Sequence, residues 1–128
     1  MARNAVVTKN APGAIGAYSQ AIKCGPTVYL SGQIPLDPET MEVVSDDPRE
    51  QIVQVFKNLK ALCEASGGSF SDVVKLTVFL PDLGHFPLVN EVMAEEFDEP
   101  YPARAAIGVR SLPKDVAVEV EGIMYIEP

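Results

Sequence analysis

Histidine and cysteine are scarce in this sequence, and long apolar runs are missing. Its 128 residues hold one histidine, His85, and two cysteines, Cys24 and Cys63. A zinc centre draws three or four ligands from such residues and carboxylates. With one histidine and no Cys/His cluster, neither a structural nor a catalytic zinc site is expected. The cysteines have no motif spacing, so no disulfide framework is indicated. No window approaches the ~18 apolar residues that span a bilayer. Met1 to Tyr18 lacks the apolar core of a secretory signal, and the default compartment is the cytoplasm. Basic residues are also in the minority. Ten face eighteen acidic residues, a formal net charge of −8. Phosphate contacts supply most non-specific nucleic-acid affinity, so broad nucleic-acid binding is disfavoured, as is binding to anionic lipid. Neither a Gly-x-x-x-x-Gly-Lys phosphate loop nor a dinucleotide fingerprint occurs. Repeats, low-complexity tracts and linkers are missing too, so residues 1–128 read as one domain.

What the chain does hold is an ordinary apolar complement, 47% of residues. At this length roughly two-thirds of the unfolded surface can be buried, enough for a core without metal or disulfide. Residues 17–23 and 27–33 read as two strands around the Gly25-Pro26 turn, a hairpin signal. Residues 35–47 read as a loop, with a small ribbon around Met41 to Val44. Residues 48–66 are the clearest helix. Asp47 suits the N-cap, Pro48 the first turn, and Glu50 the acidic position of a capping box. Ile52, Val55, Phe56, Leu59, Leu62 and Cys63 form one stripe, so Cys63 reads as a buried small hydrophobe. Gly67-Gly68 ends the helix.

Val73 to Leu80 is a β-branched strand stopped by Pro81-Asp82. Pro87 to Phe97 reads as a second helix, 104–109 as a strand, and 116–126 as the last strand. The order β-β-α-β-α-β-β, with its first and last strand pairs hairpin-like and antiparallel, predicts an α+β sandwich. One mixed sheet carries both helices on one face. The other face keeps apolar positions, and oligomerisation is the natural cover.

Several residues can carry chemistry. On the last strand Val116, Val118, Val120, Gly122 and Met124 share one face. Ala117, Glu119, Glu121 and Ile123 share the other. Glu119 and Glu121 then sit about 7 Å apart along one side. A solvated sheet face is the plainer reading of that pattern. A site is the other, because carboxylates on an apolar strand are costly to bury unpaired. Arg104 opens a small-residue strand and can grip a carboxylate through two parallel hydrogen bonds; an ordinary surface arginine has the same pattern. Ser31-Gly32 ends a strand where a glycine lets backbone approach a ligand, or simply turns the chain. Tyr18 fits core and pocket wall equally. His85, the one histidine available to a Ser-His-Asp arrangement, stands before the second helix and reads as capping or solvent-facing.

Taken together, seven segments resemble the RidA/YjgF family. They are 11–20 (Ala-Pro-Gly-Ala-Ile-Gly-Ala-Tyr-Ser-Gln), 31–35 (Ser-Gly-Gln-Ile-Pro), 58–61, 73–79, Val89-Asn90, 101–104 (Tyr-Pro-Ala-Arg) and 112–121 (from Leu-Pro-Lys-Asp-Val into Val-Glu-Val-Glu). In order over nearly the whole chain, they are highly specific. The resemblance implies a chorismate-mutase-like α+β fold of about six strands. It also implies a homotrimer with a central barrel and three clefts between subunits. It implies cofactor-free deamination of 2-iminoalkanoates such as 2-iminobutanoate and 2-iminopropanoate. Arg104 matches the carboxylate-binding arginine and Glu119 the acid near the reacting carbon. Tyr18, Gly32 and Asn90 match cleft positions, with Ser31 flanking Gly32. Two departures stand out. Ala106 replaces a frequent cysteine, removing any thiol step there, and the linker before Arg104 is about three residues shorter than in bacterial relatives.

Two other function classes stand beside this one. One is a ribonuclease or translation inhibitor, a label some relatives carry, against which the charge and the single histidine count. The other is a non-enzymatic small-carboxylate sensor or a chaperone-like module that works through exposed apolar surface.

Overall fold

A computed structural model describes residues 2–128. Eight principal elements follow in chain order: β1 (Asn4–Val6), β2 (Ala21–Cys24), β3 (Thr27–Gln33), α1 (Pro48–Ala65), β4 (Val73–Leu80), α2 (Phe86–Glu96), β5 (Ala103–Gly108) and β6 (Glu119–Tyr125). The strands form one mixed sheet in the order β1-β2-β3-β6-β4-β5. β4 and β5 are parallel, joined by α2 as a crossover. β6 lies antiparallel to both β3 and β4. It therefore separates the two strands that α1 connects.

Local chemistry explains α1. The Asp47 carboxylate accepts from the Glu50 amide at 3.0 Å, and Pro48 occupies the first turn. Beyond the Ser66 C-cap, Gly67 takes a positive φ of 93°, which costs glycine little. The expected stripe is buried to the last residue: Ile52, Val55, Phe56, Leu59, Leu62 and Cys63. Burial pushes the Cys63 thiol up to about 12, so it stays protonated and unreactive. α2 adds Val89, Val92 and Met93 to the same layer. Against these helices the sheet presents Val28, Leu30, Leu76, Val78, Val120 and Met124. Phe56, Phe70 and Phe97 close one end as an aromatic cluster, with centroids 4.4–6.5 Å apart.

The opposite sheet face is uncovered in the single chain. Tyr29 is 52% and Ile107 45% exposed there. Glu121 and Lys75 are exposed on the same side, with Thr77 half-buried.

Several expectations shift. The strand expected over 17–23 begins only at Ala21. Gln20 is the cause. Its buried side-chain amide donates to the Thr8, Ala11 and Pro12 carbonyls, and its oxygen accepts from the Thr8 amide. Side-chain bonds replace a ladder there. The last strand starts at Glu119, not Val116, because the Ala117 amide is taken by the buried Gln51 side chain at 2.7 Å. β5 and β6 are not a hairpin. β5 is an outer strand on β4, and the intervening turn carries Lys114 and Asp115 at positive φ. The ribbon near Met41 contracts to a single bridge between Leu36 and Val43. β1 was not foreseen.

Candidate active site

Two groups of polar residues gather at different places on the sheet. The first is built on α2 and β5. Phe86, Asn90 and Ala94 are spaced by four, so they share one helical face, with Met93 beside them. Arg104, the second residue of β5, reaches that face. Its Nη1 donates to Asn90 Oδ1 at 2.7 Å and lies 3.4 Å from Met93 Sδ. The guanidinium carbon stands 4.8 Å from the Phe86 ring centroid, a cation–π contact. Arg104 forms no salt bridge among the described residues. It is exposed, held on one edge by Asn90, and free to bind an anion with its remaining N–H groups. A cavity of about 400 Å³ opens beside it, lined by Asn90, Met93, Ala94, Tyr101, Pro102 and Arg104.

The second group is built on β3 and β6. The pairing of these strands breaks between Leu30 and Gln33, where Ser31 and Gly32 sit. Bulges of this kind redirect backbone and side chains near functional sites. Here Gly32 lies directly against Glu119. A Cβ on Gly32 would collide with the Glu119 carboxylate, so only glycine leaves that carboxylate its place. Glu119 is half-buried, and burial first, then the Glu121 charge, raises its carboxyl above the usual range. A carboxylate in this condition accepts a proton more readily than one in water.

Ser31 is tied to the segment that precedes β2. Its hydroxyl donates to the Ser19 carbonyl, and its amide donates to the Gln20 carbonyl at 3.0 Å. It thereby pins the segment that carries Tyr18 next to Gly32. Tyr18 is 49% exposed, which removes the core reading. Its hydroxyl oxygen accepts from the Ile15 amide at 3.4 Å.

Within one chain these groups do not meet. Arg104 is in register with Leu76, whose side chain faces the helices. Glu119 is in register with Phe79, and Phe79 with Ile107, three residues beyond Arg104. The two are thus separated by about 10 Å across strands and about 10 Å along them, and they point from opposite faces. The structure brings Arg104 to Asn90, and Glu119 to Gly32 beside the Ser31–Tyr18 segment.

Phe86, Met93 and Ala94 carry no chemical signature in the sequence, and Tyr101 enters it only as part of the 101–104 segment. For the first three, the signal was present as helical spacing around Asn90. Recognising it required knowing that Arg104 packs on that helix. His85 lies just before α2, partly covered, with Nδ1 lacking a partner and Nε2 3.8 Å from Asp82. It does not line the cavity beside Arg104. Among the described residues, no cluster of His, Cys, Asp or Glu is arranged to hold a metal.

Comparison with known proteins settles the family. The family model described as Endoribonuclease L-PSP matches residues 8–126. The chain belongs to the RidA/YjgF family. It is 54% identical to a crystal structure of RidA from the Antarctic bacterium Psychrobacter sp., which superposes with a TM-score of 0.93 over 96% of this chain and 99% of that one. A 2-iminobutanoate/2-iminopropanoate deaminase from Dermatophagoides farinae is 48% identical over 122 residues, 95% of each chain. TdcF from E. coli, crystallised with bound serine, is 42% identical with a TM-score of 0.92, covering 97% of this chain and 99% of that one. Two archaeal relatives, from Pyrococcus abyssi and Pyrococcus horikoshii, are named only as RutC family proteins. Among the described residues, no helix is long and apolar enough to cross a membrane.

Proposed function

We propose that this protein hydrolyses 2-imino acids, and their enamine tautomers, to 2-keto acids and ammonia. 2-Iminobutanoate and 2-iminopropanoate are within its range. The observation that carries the reading is Arg104: an exposed guanidinium, oriented by Asn90 and Phe86, with no protein anion on it among the described residues. A carboxylate held there by two parallel hydrogen bonds is fixed in position and direction. Two relatives support the choice of ligand. One is named an imine deaminase, and the other was crystallised with serine, an amino acid with the same carboxylate.

The chemistry also needs a base near C2 of the imine. Glu119 supplies it from a second copy of the chain, since one chain alone holds Arg104 and Glu119 on opposite sheet faces. A homotrimer that buries the uncovered sheet face in a central barrel provides such a neighbour. In that cleft Tyr18, Gly32 and Glu119 of one subunit face Asn90 and Arg104 of the next, while Ser31 holds the Tyr18 segment in place.

The steps balance without a cofactor. A water oxygen bonds to C2 of the protonated imine, the C=N electron pair moves to nitrogen, and Glu119 takes the water's proton. Glu119 returns that proton to nitrogen in the carbinolamine. The C–N bond breaks, ammonia leaves, and the hydroxyl becomes the keto oxygen as its proton passes to solvent. The protonated imine is already electrophilic, so positioning supplies several kcal/mol of what is needed.

The test generates 2-iminobutanoate in situ from threonine with a dehydratase, with semicarbazide as scavenger. Wild-type protein should speed 2-ketobutyrate formation, and Arg104→Ala should lose that effect while keeping its fold and oligomeric state. Equal acceleration by both proteins would refute the role of Arg104. RNA cleavage by the same two preparations tests the activity named in the family description, and the charge of −8 argues against it.

A further inference from the structure

Three amide side chains run along one face of α1. Gln51, Gln54 and Asn58 stand at i, i+3 and i+7, the spacing of a single helical stripe. Gln51 is 5% and Asn58 0% exposed, so neither can touch a substrate. Asn58 also opens the 58–61 segment, which the proposed chemistry leaves without a role.

Both buried amides hold backbone near β3 and β6. Asn58 Nδ2 donates to the Ile34 carbonyl at 3.3 Å and to the Leu36 carbonyl at 3.0 Å. Its oxygen accepts from Gln54 Nε2 at 2.9 Å, which fixes the direction of the amide. Gln51 Oε1 accepts from the Ala117 amide at 2.7 Å, and its Nε2 donates to the Ser45 carbonyl at 2.8 Å.

The places held are close to the reacting group. Ile34 lies two residues after Gly32, and Ala117 two residues before Glu119. β3 and β6 are antiparallel, so both ties fall at the same end of the pair. The ladder gives little support there. Its register shifts between Leu30 and Gln33, and it ends with Gln33 against Val120. The tolerance is nevertheless small, since a Cβ on Gly32 would already collide with the Glu119 carboxylate. α1 thus supplies the cross-ties that the ladder lacks where Gly32 and Glu119 meet. All of these bonds lie within one chain.

We propose that Gln51 and Asn58 are positioning residues for the reaction: they hold the end of β3 and the start of β6 so that Glu119 keeps its place against Gly32. The inference rests on the imine-hydrolase reading above and adds residues that act without touching the substrate. Arg104 stands on β5 against α2, outside these ties, so carboxylate binding does not depend on them.

Gln51→Met and Asn58→Leu roughly keep side-chain size and remove the hydrogen bonds. In the 2-iminobutanoate assay each should lower kcat by about a hundredfold, the effect of a misplacement of about 1 Å, with KM within a few-fold of wild type. Gly32→Ala supplies a readout that a merely structural role would not move. In that background the carboxylate is already displaced, so each substitution should cost only a few-fold more in kcat. Residues that only support the fold would multiply their loss onto that of Gly32→Ala. All assays are run well below the melting temperature of each variant. Where either variant fails to fold, Gln51→Asn takes its place; it keeps an amide in the core and draws it back by one methylene, about 1.5 Å.

Unchanged kcat in the folded variants would overturn the proposal. So would a loss carried by KM, or one that multiplies fully with Gly32→Ala. In each of these cases imine hydrolysis by the wild type still stands. A wild type that turns over no imine would overturn this inference together with the reading it rests on.

Discussion

Gly32→Ala is the sharpest probe of the β3–β6 group. The added methyl would stand 3.1 Å from Cδ and 3.3 Å from Cγ of Glu119, and closer still to its Oε2. Ordinary carbon contacts need about 3.5 Å or more, so the carboxylate must swing away by about 1 Å. A shift of that size at a reacting group costs about a hundredfold in rate. The fold should hardly notice. Gly32 is not in the left-handed region, so alanine adopts its backbone without strain. Losing glycine's freedom in the unfolded chain contributes about 0.4–1 kcal/mol, which offsets about 0.5–1.5 kcal/mol for pushing Glu119 off its rotamer. The expected result is kcat/KM down by about two orders of magnitude and a melting temperature within about 4 °C of wild type. The scavenging assay and a thermal melt on one preparation measure both. Activity within a few-fold of wild type would show that the Glu119 position set by Gly32 is not the reactive one. A collapse in both would make Gly32 a structural residue and nothing more.

Glu121→Gln tests the electrostatics. The Glu119 carboxyl is raised by burial first and by Glu121 second, so as a base it becomes active only above the usual glutamate range, about 4.3. Removing the Glu121 charge should move the acid limb of the kcat/KM–pH profile to lower pH; a limb that stays put would mean Glu121 does not feel the base. Asp47→Ala removes the α1 N-cap and should cost about 1 kcal/mol in urea unfolding without altering turnover.

How much of this the sequence carried depends on how local each signal was. α1 was legible at both ends because its cap, its first-turn proline and its terminal glycine lie within the helix or next to it. β4 was legible to the residue, since Pro81 removes the next donor and β-branched residues fill it. The alternation over residues 118–124 correctly separated buried Val118, Val120 and Met124 from Glu119 and Glu121. Pairing was not legible. Whether β6 pairs β5 or inserts between β3 and β4 is decided by packing far apart in sequence. Nor could propensity show that Gln20 and Gln51 would replace ladder bonds with side-chain ones, because a buried glutamine looks like a surface one until its partners are placed. Arg104 and Glu119 were each visible as types, and the family resemblance ranked them. Their placement on opposite faces emerged only with the register.

That placement leads to a stringent test of a site shared between subunits. On the proposed mechanism Arg104→Ala lacks the carboxylate clamp and Glu119→Gln lacks the base, so each alone should be inactive. In a closed ring of identical subunits every cleft joins one face of a subunit to the other face of its neighbour. If the two variants are unfolded together in equal amounts and refolded, a cleft regains both groups when Glu119→Gln supplies the arginine and Arg104→Ala supplies the glutamate. Random assembly gives that combination in about a quarter of clefts, so the mixture should recover about a quarter of wild-type activity. Mixing without unfolding should recover nothing while the oligomers stay intact. A site completed inside one subunit predicts no recovery in either case, because no single chain then carries both groups. Recovery well below a quarter in oligomers of confirmed mixed composition would therefore contradict the register argument, which separates Arg104 from Glu119 by two strands and a sheet face.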